Sequence, residues 1–335
     1  MKPIHLLEPA NDSMNVPILD EPLREFIRNG FDNAVFDTME GDRYFPRHVP
    51  FRWEGEGKTF TLLLATKEAL SDAVSYSVEG TEFHIHWLLG DQTYYWQVRS
   101  EGGESEVFCF HTEDTPRTLW IEGAHNTRDL GGWKTIDGRR IRQGWVYRTS
   151  VFRDVTEEGR RHCLNTLGIR WELDLRPTGE SDAGQGSPLG EAVQYQNYGA
   201  PAYYNYFLPE VKERLKNIFL FFTDPTHYPM AFHCLMGRDR TGSLAFMLLM
   251  LCGVSYEDAR RDYDITFFTE RYRHCESSHK TIHETHFNPF VEQLRAYGTG
   301  TLAENIEAFI LDLGLTKEDI EAIRRLLIEE ARDFG

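Results

Sequence analysis

The chain has 335 residues, which suits two domains better than one, and its 41% hydrophobic content with 22 Phe, 15 Tyr and 7 Trp is enough for two cores. A formal net charge of −17 excludes a general binder of nucleic acid or of anionic membranes, since either needs a basic face. Five cysteines, an odd number without paired spacing, exclude a disulfide scaffold and leave room for a working thiol in a reducing compartment.

The N-terminal residues Met1-Lys2-Pro3-Ile4-His5-Leu6-Leu7-Glu8-Pro9 lack an apolar run of signal-peptide length, and no apolar stretch of about 18 residues follows. A cytoplasmic protein without stable membrane insertion is expected, or a secreted one if a leader has been trimmed. Residues 1–117 read as all-β. Residues 59–66 and 83–87 are rich in β-formers, and Tyr94-Tyr95-Trp96-Gln97-Val98-Arg99 alternates as a half-buried strand does. Glu101-Gly102-Gly103-Glu104-Ser105 is a turn, with 106–111 as the returning strand. Short strands over this length predict a sandwich. Phe51-Arg52-Trp53 as an early core strand, followed by Leu-Leu-Gly-Asp-Gln-Thr-Tyr-Tyr-Trp-Gln-Val over 88–98, resembles a fibronectin type III domain. The resemblance implies a packed scaffold that orients its neighbour, with a binding or spacer module, for carbohydrate for instance, as the alternative.

Thr115-Pro116-Arg117-Thr118 is a short polar link, and residues 118–335 form the second predicted domain. The paired glycines of Asn126-Thr127-Arg128-Asp129-Leu130-Gly131-Gly132 mark a tight loop. Residues 141–147 follow as a strand leading into Arg148-Thr149-Ser150. Thr156 is an N-cap with Glu157 and Glu158 in the first turn, so a helix is predicted over 156–167, ended by Gly168. Residues 169–175 form a strand that carries Asp174 and Arg176 at its C-terminal end. Residues 179–190, rich in Gly, Ser and Asp, read as a mobile loop, and the aromatic cluster Tyr203-Tyr204-Asn205-Tyr206-Phe207 precedes a helix over 209–222. Strands alternating with helices predict an α/β domain whose largely parallel sheet binds ligands beyond its carboxyl ends.

The short apolar run Met230-Ala231-Phe232 then delivers His233-Cys234-Leu235-Met236-Gly237-Arg238-Asp239-Arg240-Thr241-Gly242, and an apolar helix is predicted over 243–252. Strand, tight loop and helix N-terminus in that order build an anion cradle whose amides and helix dipole, with Arg240, favour the thiolate of Cys234. Such a thiol is a nucleophile aimed at a bound oxyanion. The chain supplies its own control: His274-Cys275 is a second His-Cys pair, but position 281 is Thr and no glycine-rich loop follows.

The cradle, with Asn-Thr-Arg-Asp-Leu-Gly-Gly upstream, Tyr147-Arg148-Thr149-Ser150 and Leu173-Asp174-Leu175-Arg176, resembles the bacterial tyrosine/lipid phosphatase family of cysteine-dependent phosphatases. The resemblance covers roughly residue 118 to the C-terminus. Many members carry Lys where this chain has Arg238, and Arg recognises a second phosphate differently. The resemblance implies a mostly parallel sheet flanked by helices, and phosphomonoester hydrolysis with Cys234 as nucleophile and Arg240 as clamp on the phosphoryl oxygens. Thr241 would hydrogen-bond the sulfur. For the proton donor, Asp239 is the first choice, with Asp174 and Asp129 as runners-up whose alternative is a salt bridge to Arg176 or Arg128. His233, Leu235, Met236, Gly237 and Arg238, with Arg128 and Asp129, make up the expected substrate-binding set, while Arg148 and Arg176 would bring further positive charge. His233 would orient the loop, or be an ordinary buried histidine.

The expected substrate is a phosphorylated protein, phosphotyrosine first, or else a phosphoinositide or a dual-specificity substrate. No cofactor is required and no nucleic acid is expected as partner. Two other classes compete: an inactive phosphatase-like module that captures phosphorylated partners, and sulfur transfer through a cysteine persulfide. Intact Cys234, Asp239 and Arg240 count against the first, and the Arg at the sixth position with Thr241-Gly242 counts against the second. The segment with His274, Cys275, His279, His283 and His286, the last three at helical spacing, raises zinc as a further possibility, but no partner cysteines or carboxylate motif complete a pattern, and a solvated His-rich segment is the reading preferred.

Overall fold

Period-two alternation gives the N-terminal strands one buried face each, and the computed structural model pairs them into two sheets. It describes residues 3–30, 36, 39–269, 272 and 279–329; His274 and Cys275 lie outside the described residues. The strands are β1 (His5–Glu8), β2 (Ser13–Val16), β3 (Val49–Glu54), β4 (Thr59–Ala65), β5 (Val74–Glu79), β6 (Glu82–Ile85), β7 (Thr93–Ser100), β8 (Gly103–Glu104) and β9 (Phe108–Thr112). One sheet runs β1-β3-β6 and the other β2-β9-β7-β4-β5, with β8 on β7; every pairing is antiparallel except β2 with β9. Buried aromatic side chains fill the core: Phe51 meets Trp96 edge-on at 5.2 Å between ring centroids, and Trp53 meets Phe60 at 5.6 Å. The backbone N–H of Leu89 donates to the Tyr94 hydroxyl at 2.9 Å, tying the start of β7 to the preceding corner.

The chain divides into two compact units, Met1–Asp20 with Phe45–Arg117, and Glu21–Tyr44 with Thr118–Gly335. Residues 21–44 therefore belong with the second unit and include a helix, α1 (Glu21–Asn29), where the sequence reading had all-β structure. The physical reason is a stripe, not an alternation: Leu23 and Phe26, three apart, are both buried, and Phe26 packs its ring on Phe36 and Phe268 at 5.7 and 5.2 Å. Tyr44 completes the link, its hydroxyl donating to the Leu119 carbonyl at 2.6 Å and accepting from Thr127 N–H at 3.1 Å.

The second unit is mixed α/β. Its sheet contains β10 (Arg128–Asp129), β11 (Val146–Thr149), β12 (Trp171–Asp174), β13 (Gln194–Asn197) and β14 (Met230–His233) in the order β10-β11-β14-β12-β13. The last four are parallel, and β10 is antiparallel to β11. Central β14 is buried along its whole length, as a parallel strand covered on both faces is. Register sets Thr149 and Asp174 level with His233, so Cys234 leaves the sheet at its carboxyl end. β11 pairs residue for residue with four-residue β14, and so it starts later and runs further than the predicted 141–147.

The helices are α2 (Glu157–Arg161), α3 (Lys212–Phe221), α4 (Asp239–Leu251), α5 (Tyr256–Asp264), α6 (His279–Ile282), α7 (Asn288–Ala296), α8 (Leu302–Asp312) and α9 (Lys317–Leu327). Thr156 caps α2 as predicted, accepting from Gly159 N–H at 3.1 Å, but the helix widens into a π turn over His162–Thr166. α4 starts four residues before the predicted Ser243 and takes Arg240 and Thr241 into its first turn. Gly242 belongs in this helix because Tyr263 approaches it: a Cβ there would lie 2.8 Å from the Tyr263 ring. Among the described residues no helix is long and apolar enough to cross a membrane.

Candidate active site

The loop Cys234 to Arg238 joins β14 to α4, and its carbonyls are tied from behind. Asn126 Nδ2 donates to the Met236 carbonyl at 3.2 Å, Arg148 to the Gly237 carbonyl at 2.8 Å, and His233 Nδ1 faces the Cys234 carbonyl at 3.1 Å. With those oxygens held outward, the loop's N–H groups turn toward the opposite side, next to the N-terminus of α4. Gly237 makes the turn possible: its φ is +69°, and a Cβ would sit 2.4 Å from the Thr149 carbonyl oxygen.

Two buried ionic groups brace this loop. His233 Nε2 lies 2.8 Å from Glu172 Oε1, both side chains fully buried, and Ser187 donates to the other Glu172 oxygen. Burial works against a charged imidazole, but Glu172 and then Asp174 outweigh it and raise the His233 pKa. Beneath the upstream loop, Asp262 takes Arg128 Nε at 3.1 Å and also Arg148. Burial would raise the Asp262 carboxyl, yet the two guanidiniums hold it below the usual carboxylate range. Arg128 is pushed down to about 10 by burial and by its neighbour Arg148. Two cations against one anion leave positive charge under the loop.

The loop faces a cavity of about 370 Å³. Cys234, Leu235, Met236, Arg238, Asp239 and Arg240 line one side, and Glu180, Tyr203 and His286 stand among those lining the rest. Arg240 reaches Glu180 through both terminal nitrogens, at 3.1 and 2.7 Å, which leaves the Nε edge of the guanidinium fork for an oxyanion. Asp239 Oδ1 accepts from Arg238 Nε at 2.9 Å and from the Tyr203 hydroxyl, which in turn meets the Tyr263 hydroxyl at 2.6 Å. Burial, followed by Tyr263 and Asp239, raises the Tyr203 pKa well above its ordinary value, so the phenol stays a donor. Tyr203 has φ +53°, a left-handed backbone that costs a bulky residue about 1–3 kcal/mol. Its N–H bond to Ser243 Oγ at 3.1 Å helps hold it there. The Thr241 hydroxyl is buried without a hydrogen-bond partner, one residue beyond Arg240.

Cys234, Asp239, Arg240 and the loop residues are thus brought together. His233 and Gly237 shape the loop from behind, and Thr241 is buried within α4. None of these three lines the cavity, and neither do Asp174, Asp129, Arg128, Arg148 and Arg176. Asp174 is gripped by Arg176 at 3.0 and 2.7 Å and by the Tyr195 hydroxyl at 2.7 Å. Burial would raise its carboxyl, but Arg176 and His233 keep it ionised below the ordinary range, which is wrong for a proton donor. Asp129 accepts backbone N–H bonds from Gly131 at 2.9 Å and Gly144 at 2.6 Å, as a turn residue does. Arg128 is spent on Asp262, as Arg148 is on Asp262 and the Gly237 carbonyl. Arg176 bonds Asp174 and Asp182 instead of reaching the cavity. The sequence reading passed over Glu180 and Asp262, took His286 only as part of a His-rich segment, and noted Tyr203 only as part of an aromatic cluster. A charged residue beside Ala259 and Tyr263 on the buried face of α5 was the one available signal, for Asp262.

Residues 119–329 match a family model described as the tyrosine phosphatase family. A Cupriavidus necator protein named as a candidate tyrosine-protein phosphatase is 29% identical across 44% of this chain and 65% of its own length, so the chain spans slightly less than two thirds of that relative. Among solved structures, the core catalytic domain of the PP-IP phosphatase Siw14 of S. cerevisiae, in complex with citrate, is 15% identical over 53% of this chain and 94% of that one, with a TM-score of 0.34.

Proposed function

The chain belongs to the tyrosine phosphatase family, and from that premise we propose that it hydrolyses phosphomonoesters through a phosphocysteine intermediate, with phosphotyrosine in proteins as the preferred substrate. The observation that carries this reading is the convergence of Cys234, Asp239 and Arg240, from one loop and the first turn of α4, on one cavity. Cys234 Sγ attacks phosphorus while the ester P–O bond breaks, and Asp239 gives its proton to the departing oxygen. Water then attacks the phosphocysteine, Asp239 takes a proton from it, and the thiolate leaves with the Thr241 hydroxyl as its donor. Arg240, aligned by Glu180, and the loop amides hold the equatorial oxygens in both steps.

A second reading, phosphoinositide hydrolysis, draws support from Arg238, which lines the cavity and adds a cation for a second phosphate. For the first unit we propose a fibronectin type III-like scaffold, supported by two facing sheets and by the corner bond from Leu89 N–H to the Tyr94 hydroxyl.

Cys234→Ser is expected to abolish turnover of an aryl phosphate while still binding phosphate or a phosphotyrosine peptide. Unchanged turnover in that variant would sink the mechanism, and a wild type that binds phosphopeptide without turning it over would identify a capture module. Comparing kcat/KM on phosphotyrosine peptides and on phosphoinositides decides between the substrates.

A further inference from the structure

Away from the catalytic loop, the second unit gathers one carboxylate and two imidazoles in an apolar interior. Asp264 closes α5, while His279 and His283 stand four residues apart, and so on one face, where α6 runs on toward α7. The three residues are 4%, 2% and 3% exposed. Asp264 Oδ1 lies 3.2 Å from His279 Nε2 and 2.5 Å from His283 Nε2, and one donor atom from each residue falls within 4.8 Å of the others. Phe36 stacks on the His279 ring at 4.4 Å and Phe267 meets it edge-on at 4.6 Å.

The contacts allow two arrangements. His283 Nδ1 faces Asn288 Oδ1 at 3.4 Å, and its Nε2 points at the Asp264 carboxylate, as His279 Nε2 does. Ring protons on the Nε2 atoms would satisfy the carboxylate, and so would one shared cation that takes one atom from each of the three residues as ligand. Arg260 Nε stands 3.4 Å from the other carboxylate oxygen, Asp264 Oδ2. The second carboxylate oxygen and the second ring nitrogen of His283 each have a partner, as metal-bound groups do, while His279 Nδ1 is buried without one.

We propose that Asp264, His279 and His283 bind a zinc-class divalent transition cation. Two imidazoles and one carboxylate suit zinc and its first-row neighbours better than calcium or magnesium. The carboxylate missing from the histidine pattern in the sequence comes from α5, and His286, the third histidine of that pattern, lines the catalytic cavity instead. The site joins α5, whose Tyr263 supports Tyr203, to the segment that presents Ile282 and His286 to the cavity. The metal is a clamp on that wall and takes no part in phosphoryl transfer.

Full-length protein purified without chelators and analysed by plasma mass spectrometry should hold about one zinc per chain. After stripping, zinc should raise Tm saturably, and cobalt should give the d–d absorption of a nitrogen and oxygen site. His279→Ala and His283→Ala should lose stoichiometric binding, with His286→Ala retaining it. Stripped wild type that takes up neither zinc nor cobalt overturns the proposal, as does stoichiometric binding that survives in both variants. If those variants do not fold, the wild-type stoichiometry and cobalt spectrum decide alone, since a proton-only network produces neither.

Discussion

Asp239 is the residue on which the proposed chemistry turns, because its carboxylate sits between a cation and a phenol while lining the same cavity as Cys234. Arg238 and Tyr203 both bond Oδ1, so the side chain is aimed before substrate arrives. A group whose work is to protonate the leaving oxygen matters most when that oxygen is basic. Asp239→Asn is therefore expected to slow phenyl phosphate hydrolysis by about 10²–10⁴-fold and to affect an activated nitrophenyl ester much less. An equal loss on both esters would assign the acid elsewhere. The Cys234-to-Arg240 loop and the Asp239 within it were legible in the sequence, because strand, glycine turn and helix are contiguous and their order alone fixes the geometry. Glu180 and Tyr203 were not. They stand 60 and 36 residues from Arg240 and Asp239, the residues they hold, and only the folded second unit brings them there. Asp174 misled for the converse reason: it does end a neighbouring strand level with His233, but its carboxylate is consumed by Arg176.

β14 is held to β12 by more than its ladder, because the buried His233–Glu172 pair adds a charged link between the two strands. The His233 pKa is raised in the folded protein, so its contribution is fully present below the unfolded value of about 6.5 and is lost as pH rises through the folded value. Denaturant unfolding of wild type against His233→Gln should therefore show the largest stability gap at mildly acidic pH and a narrowing gap above it; a gap that widens with pH would contradict the pairing. On the other side of the loop, Asp262 joins α5 to β10 and β11 through Arg128 and Arg148. Removing the shared carboxylate leaves two buried guanidiniums uncompensated. Asp262→Ala should cost about 3–5 kcal/mol in chemical denaturation, against about 0–1 kcal/mol for an exposed pair such as Arg161 with Glu158. Comparable losses at the two sites would remove Asp262 as the keystone of the loop's support.

The division of the chain follows burial, not sequence order. Alternation and turn residues made the strands of the first unit readable, and the β/α sequence made the parallel sheet of the second readable, because both signals are periodic and local. The boundary at Arg117 was read from a proline and a change in composition, which says where the second unit resumes but not that it began earlier. The signal for α1 was there, Leu23, Phe26 and Ile27 at helical spacing, and an all-β reading of the surrounding hundred residues masked it. Phe26 is 3% exposed and contacts Phe268 at the C-terminal end of α5's extension, far along the chain. Truncating it removes its ring contacts with Phe36 and Phe268, both in the second unit. Phe26→Ala is expected to destabilise that unit by about 3–5 kcal/mol, the usual cost of a buried Phe-to-Ala change. Hydrogen exchange followed peptide by peptide should then speed up in Val146–Thr149 and Met230–His233 and stay unchanged in Thr93–Ser100. Faster exchange in Thr93–Ser100 with none in the parallel sheet would return residues 21–44 to the first unit.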